Sequence, residues 1–160
     1  MTGQPDQAAA GPADDGQPIF HVEKLYLKDF SFESPSAPDI FLEQLEPQIQ
    51  FNLDSNSTQK SDVHHEVVLH CTVKVAAEER VLFLVELSYA GLFLIRNIPQ
   101  QHLPPLLAVE CPGILFPYAR QMVSSVVLEG GFRPFVIDPI NFAALYQQKL
   151  AQQTPGQVAP

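Results

Sequence analysis

Cys111-Pro112-Gly113-Ile114-Leu115-Phe116-Pro117-Tyr118-Ala119-Arg120, running on to Gly130-Gly131, is the stretch on which the arrangement of the rest of the chain turns. A proline inside a helix removes a hydrogen bond and crowds the preceding turn, whereas in the first turn its missing N–H costs nothing. Pro117 therefore predicts a helix starting near this point, and the double glycine predicts its end. At about 100° per residue, Leu115, Tyr118, Ala119, Met122, Val123, Val126 and Val127 fall on one side. Arg120, Gln121, Ser124, Ser125 and Glu129 occupy or border the other. The apolar arc covers about half the circumference, wider than the stripe of an ordinary surface helix, and it calls for a broad partner such as a β-sheet. Leu128 points out among the serines. It is either one exposed leucine on a core helix or, together with Ser124 and Ser125, a contact to a second subunit.

The strands such a sheet needs lie upstream. Residues 19–33 are rich in aromatic and β-branched side chains, with Phe30 and Phe32 on one face and Asp29, Ser31 and Glu33 on the other. Leu25, Tyr26 and Leu27 break the alternation and point either to a bulge or to burial on both faces. Ser34-Pro35-Ser36-Ala37-Pro38-Asp39 is turn-rich, and the loop after it carries Phe41, Leu42 and Leu45, large apolar residues that need a home. Gln48 to Asp54 alternates cleanly, Ser55 to Ser61 reads as a polar turn, and His65 to Val75 alternates again with Val67, Leu69, Cys71, Val73 and Val75 on one face. A short hairpin link over residues 76–79 leads to Val81–Tyr89, where Phe83, Val85 and Leu87 turn inward and Leu82, Leu84 and Glu86 outward. Leu92 to Ile95 continues extended. Near the end, Asn141 can cap a last helix with Phe142, Leu145, Tyr146 and Leu150 as its apolar stripe. Strands joined locally and followed by helices predict an α+β domain over residues 19–150, a four-stranded antiparallel sheet with helices packed on one face. Residues 1–18 and 151–160 are expected to be a disordered arm and a mobile tail.

Composition narrows the function. The 160 residues carry 9 Lys+Arg against 18 Asp+Glu, a net charge of −9, which argues against a nucleic-acid partner and suits a basic one. Neither a secretory signal nor an apolar run of the ~20 residues that span a membrane is present, and Cys71 and Cys111 sit in apolar surroundings, so a cytoplasmic protein with reduced thiols is expected. No nucleophile elbow, phosphate loop or zinc motif occurs. His64 and His65 are strand neighbours that point to opposite faces. The expectation is therefore no enzyme, no metal and no cofactor. What remains is apolar surface, in the loop and on the sheet, and exposed apolar patches mark binding sites or oligomer contacts.

At this point the residues resemble a known family. Ile114-Leu115-Phe116-Pro117-Tyr118-Ala119-Arg120 is similar to the signature of SecB, the bacterial protein-export chaperone. The resemblance extends to Tyr26, Lys28-Asp29, Ser31-Phe32-Glu33, Pro35, Ala37-Pro38, Glu66-Val67-Val68-Leu69 and Pro139-Ile140-Asn141-Phe142, and it spans about residues 20–150. It implies an ATP-independent holdase, a homotetramer built as a dimer of dimers, that binds unfolded precursor proteins and passes them to the SecA motor ATPase. Carried over by position, the SecA-binding patch falls on Asp29, Glu33, Leu84 and Glu86. The client groove falls among Leu45, Ile49, Phe51, Leu53, Phe83, Tyr118, Phe142 and Tyr146, several of which could equally be plain core. The long helix of the family at its tetramer interface would account for Leu128 beside Ser124 and Ser125. Where many members carry tryptophan this chain has Leu45. Two other readings stand beside this one: a SecB-like chaperone for another client, such as a toxin–antitoxin pair, and a small apolar-ligand carrier, which would require a closed pocket with convergent polar groups.

Overall fold

Period-two alternation produces four long antiparallel strands in the computed structural model, which describes residues 14–153. They are β1 (Ile19–Glu33), β2 (Gln48–Gln59), β3 (His64–Ala77) and β4 (Arg80–Arg96). The sheet order is β1-β4-β3-β2, so β1 and β2 are the two edges. Hairpins join β2 to β3 and β3 to β4, and a crossover segment carries the chain from one edge to the other. Between Ala77 and Arg80 the tight link is Glu78-Glu79, with φ of +52° and +64°. Both central residues are thus left-handed, as a primed hairpin turn requires, although neither is the Asn or Gly such turns favour.

The expected alternation is present. Val67, Leu69, Cys71, Val73 and Val75 of β3 and Phe83, Val85 and Leu87 of β4 form the buried inner face. The break at Leu25–Leu27 coincides with register shifts between Val22 and Lys24 and between Leu27 and Asp29, as a bulged strand gives. Two readings are corrected. β2 does not stop at Asp54: Ser55 to Gln59 pair with Leu69 to His65, because the backbone ladder closes whatever side chains the exposed edge carries. Nor does Leu82 face away. The register slips where Val75 pairs with Phe83 and Ala76 with Val81, leaving Leu82 as the bulged residue, and its side chain packs against the core.

The long helix also begins earlier than Pro117 suggests. After a 3₁₀ turn at Gln100–His102 come one α turn, α1 (Leu103–Pro105), a π turn at Leu106–Glu110 and then α2 (Cys111–Glu129). In the π turn the Cys111 N–H reaches back to the Leu106 carbonyl, five residues away, just before Pro112, which has no N–H to give. Pro117 therefore lies in the helix interior. The residue four back, whose carbonyl its ring must meet, is Gly113, which has no Cβ and faces open space. Cys111, Leu115, Phe116, Ala119, Val123 and Val127 of α2 are buried against the sheet. Gly91 makes the close approach possible: a Cβ there would stand 2.7 Å from the Phe93 ring and 3.2 Å from Leu115. The double glycine ends α2 as expected. Gly131 (φ +86°) is left-handed, and the Gly131 and Phe132 N–H groups return to the carbonyls of Leu128 and Val127.

The last helix, α3 (Phe142–Gln153), is capped by Asn141, whose Oδ1 accepts from the Ala144 N–H at 3.0 Å. Of the arm expected over 1–18, residues 1–13 lie outside the described residues; Asn97 Nδ2 donates to Asp14 Oδ1 at 2.8 Å and to the Gln17 carbonyl at 3.0 Å. Of the tail expected over 151–160, residues 154–160 lie outside the described residues and the first three complete α3.

Candidate functional site

One face of the sheet lies under α2, and the other is open. On the open face, register sets the grouping: Asp29 lies opposite Ser88, Ser31 opposite Glu86, and Glu33 opposite Leu84. Residues directly opposite share a face, and the inward turn of Phe83, Val85 and Leu87 puts Leu84 and Glu86 outward. Asp29, Glu33, Leu84 and Glu86 thus form one cluster two strands wide and about 13 Å long at the strand rise. The three carboxylates are exposed and Leu84 is half-buried. Among the described residues the ion pairs are Lys28–Glu66, His64–Glu23, Arg80–Glu43 and Lys149–Asp54, so none of the three is neutralised. Lys74 lies opposite Leu84 on β3, and Lys28, next to Asp29, is engaged with Glu66.

Two apolar grooves lie along the inner side of β2. The first runs beneath the crossover segment. β1 ends at Glu33 and β2 begins at Gln48, so the segment must pass the β3–β4 hairpin end of the sheet. Ile40 anchors it, 5% exposed in the core. Phe41 packs on Phe132 with ring centroids 5.4 Å apart, and Phe132 on Phe83 at 4.7 Å. The groove so enclosed, about 460 Å³, is lined by Leu45, Ile49, Val75, Leu82, Phe83 and Phe135 beside those rings. Ile49 is 53% exposed and Phe41 49%.

The second groove, about 250 Å³, lies between α3 and β2 and is lined by Leu53, Leu69, Ala108, Phe142, Leu145 and Tyr146. Phe142 meets the Phe116 ring edge-on at 5.8 Å, Lys149 Nζ reaches Asp54 Oδ1 at 3.0 Å, and no residue of α3 is buried. The Lys149 hydrogen bond draws the Asp54 carboxyl below its ordinary range.

Six of the sequence-derived groove candidates therefore line these two concavities: Leu45, Ile49 and Phe83 the first, Leu53, Phe142 and Tyr146 the second. Phe51, between Ile49 and Leu53 on β2, is half-buried and packs against the core. Tyr118 lines neither groove; its ring stacks on Tyr89 at 5.5 Å. Of the interface candidates, Leu128 is 53% exposed and Ser125 is exposed, while the Ser124 hydroxyl donates to the Phe135 carbonyl at 2.9 Å. Sequence reasoning missed Phe132 and Phe135 as groove walls. Two aromatics within four residues of a link after a helix were the available signal.

The rest of the ionisable chemistry is structural. Burial pushes the Cys71 thiol up to about 11 and the Cys111 thiol to about 12, which leaves both uncharged and poorly nucleophilic at neutral pH. Glu66, on the open face, is buried and receives Lys28 Nζ at 2.8 Å and the Tyr26 hydroxyl, and these bonds, that of Lys28 first, hold its carboxyl below its usual range. Among the described residues no three His, Cys, Asp or Glu side chains gather as a metal site would need.

A four-stranded sheet with one helix-covered face, one open acidic face and flanking apolar grooves is the architecture so defined. By sequence, this chain belongs to the SecB family, whose profile, described as the preprotein translocase subunit SecB, matches residues 13–153. The protein-export protein SecB of Magnetococcus marinus is 57% identical over 153 residues, covering 92% of this chain and 95% of that one. That of Chromobacterium violaceum is 53% identical over 137 residues, covering 86% and 91%. Among solved structures, a SecB-like chaperone of Mycobacterium tuberculosis, in complex with a peptide from an antitoxin, superposes with a TM-score of 0.59 at 14% identity over 76% of this chain and 90% of that one, a likeness of fold.

Proposed function

We propose that this chain is an ATP-independent holdase of protein export. It binds unfolded precursor proteins in the two grooves beside β2 and hands them to the SecA ATPase through the patch of Asp29, Glu33, Leu84 and Glu86. The observation that carries the reading is the pair of open, apolar concavities in a chain of the export family. Each apolar client side chain buried there contributes up to about 1.5–3 kcal/mol, before ordering costs. A client reaching several grooves gains further through effective concentration. Folded proteins hide the side chains that the grooves accept, so the preference is for disorder rather than for a sequence.

The three unneutralised carboxylates around Leu84 support a basic partner surface, such as the basic, zinc-holding tail of SecA. Leu128 and Ser125, exposed on α2, support helix contact in a dimer of dimers. The proposed place of action is the cytoplasm; among the described residues no helix is long and apolar enough to cross a membrane. The test is fluorescence anisotropy with a labelled, urea-unfolded precursor diluted into the full chain. Ile49→Asp with Leu45→Asp is expected to weaken binding at least ten-fold, since two apolar contacts worth about 1.5–3 kcal/mol each are lost, while the circular dichroism stays unchanged. Undiminished binding would remove the groove from the reading.

A further inference from the structure

The crossover wall of the first groove is held to the sheet by few ties. Ile40 is buried, Phe41 rests on Phe132, and the backbone bonds within the turn run from the Phe41 N–H to the Pro38 carbonyl at 2.9 Å and from the Glu43 N–H to the Ile40 carbonyl at 3.4 Å. Between Glu43 and Gln48 no backbone hydrogen bond to another element forms among the described residues. One charged side chain spans the gap. Arg80, the first residue of β4, directs both terminal nitrogens of its guanidinium at the two carboxylate oxygens of Glu43, Nη1 to Oε1 at 3.0 Å and Nη2 to Oε2.

Two features set the Arg80–Glu43 fork apart from an incidental surface pair. A planar fork on a carboxylate fixes direction as well as distance. The arginine also stands on the sheet ladder itself, paired in register with Ala77 directly after the two-residue turn. The Arg80 hydrogen bond holds the Glu43 carboxyl below its usual range, so the pair stays charged in mildly acid solution. Side-chain exposures of 36% and 40% make it a modest, reversible tie rather than a structural staple.

We propose that Arg80 is a positioning residue of the client groove: through Glu43 it clamps the wall that carries Phe41 and Leu45 over Ile49 and Phe83, and so sets how long a bound apolar segment is retained. The retention half of this rests on the holdase reading; the clamp itself does not. The second groove supplies an internal control, because its own ion pair, Lys149–Asp54, closes a different wall.

The experiment is hydrogen–deuterium exchange of the full chain, read at the hydrogen-bonded amides of Ile40, Phe41 and Glu43, paired with the dissociation rate of a labelled unfolded client. Arg80→Ala and Glu43→Ala are each expected to raise exchange at those amides about two- to five-fold, the range of an exposed ion pair. The double variant is expected to go no further, since both substitutions remove one interaction. Arg80→Lys, which keeps the charge but loses the fork, falls between, and the swap of Arg80→Glu with Glu43→Arg recovers most of the protection. Lys149→Ala leaves those amides at the wild-type rate, and client dissociation from Arg80→Ala speeds up by the same factor as the exchange. Wild-type exchange in Arg80→Ala, or effects that add in the double variant, overturns the clamp. Faster exchange with unchanged dissociation overturns the retention role. A wild-type chain that ignores the unfolded client removes the holdase reading and the retention role with it, while the exchange rates still decide the clamp.

Discussion

Glu86 stands at the centre of the open-face patch, paired in register with Ser31 on β1 and Thr72 on β3, and flanked one row away on either side by Asp29 and Glu33. Glu86→Lys reverses its charge without touching the core, because the side chain is exposed. A cation docked about 5–7 Å away in a water-like medium interacts with one carboxylate by about 0.6–0.8 kcal/mol. Reversal removes that attraction and adds an equal repulsion, about 1.2–1.6 kcal/mol in all, or roughly an 8- to 15-fold loss of affinity. Two consequences separate an electrostatic effect from a local distortion. Glu86→Gln should cost half as much in free energy, and the whole effect should shrink as salt rises, because the Debye length falls below the patch dimensions at high ionic strength. Isothermal titration of SecA into wild type and both variants, at low and at physiological salt, measures it, with unfolded-client binding as the control. An unchanged SecA affinity for Glu86→Lys, or a loss that salt leaves untouched, would refute the electrostatic reasoning.

Three stability predictions test the fold beneath the sites. Gly91→Ala forces a methyl between the Phe93 ring and Leu115 and should cost about 1–3 kcal/mol by overpacking, read as a lowered Tm; an unchanged Tm means α2 does not sit as closely as described. Replacing Glu78-Glu79 by Asn-Gly relieves two left-handed glutamates and should stabilise by about 1–2 kcal/mol in urea unfolding. His65 is 7% exposed with Nδ1 unpartnered, and burial lowers its pKa from 6.5, so the unfolded chain takes up its proton more readily. Its contribution is full above the unfolded pKa of 6.5 and declines as pH falls toward the lower folded value. The stability difference between His65→Leu and wild type should therefore shift in favour of the variant below that point, and a difference that stays flat with pH would count against a neutral buried imidazole.

Much of this molecule is legible in one dimension because each strand keeps a period of two: the inner faces of β3 and β4, the outward grouping of Asp29, Glu33 and Glu86, and the cap at Asn141 all follow from local pattern. The failures share a cause in long-range geometry. Ser55–Gln59 carries no apolar signal, yet its backbone finds a partner strand, and a polar edge strand looks like a turn until that partner is known. Leu82 turns inward because of a one-residue slip against β3, which alternation cannot register. Pro117 reads as a helix start, and that the helix passes through it depends on the packing of Leu115, Phe116 and Ala119 against the sheet, which local pattern does not carry. Phe132 and Phe135 became groove walls through contacts with residues about fifty to ninety positions away, a distance at which pattern carries no information.

Whether this chain assembles and selects for disorder is decided by sedimentation velocity. A fluorescent precursor is mixed with the full chain twice, once unfolded and once in its native fold. The holdase reading predicts that the chain sediments as a tetramer and carries the unfolded precursor with it while leaving the native form behind. A monomer that lets both forms sediment alone would contradict it.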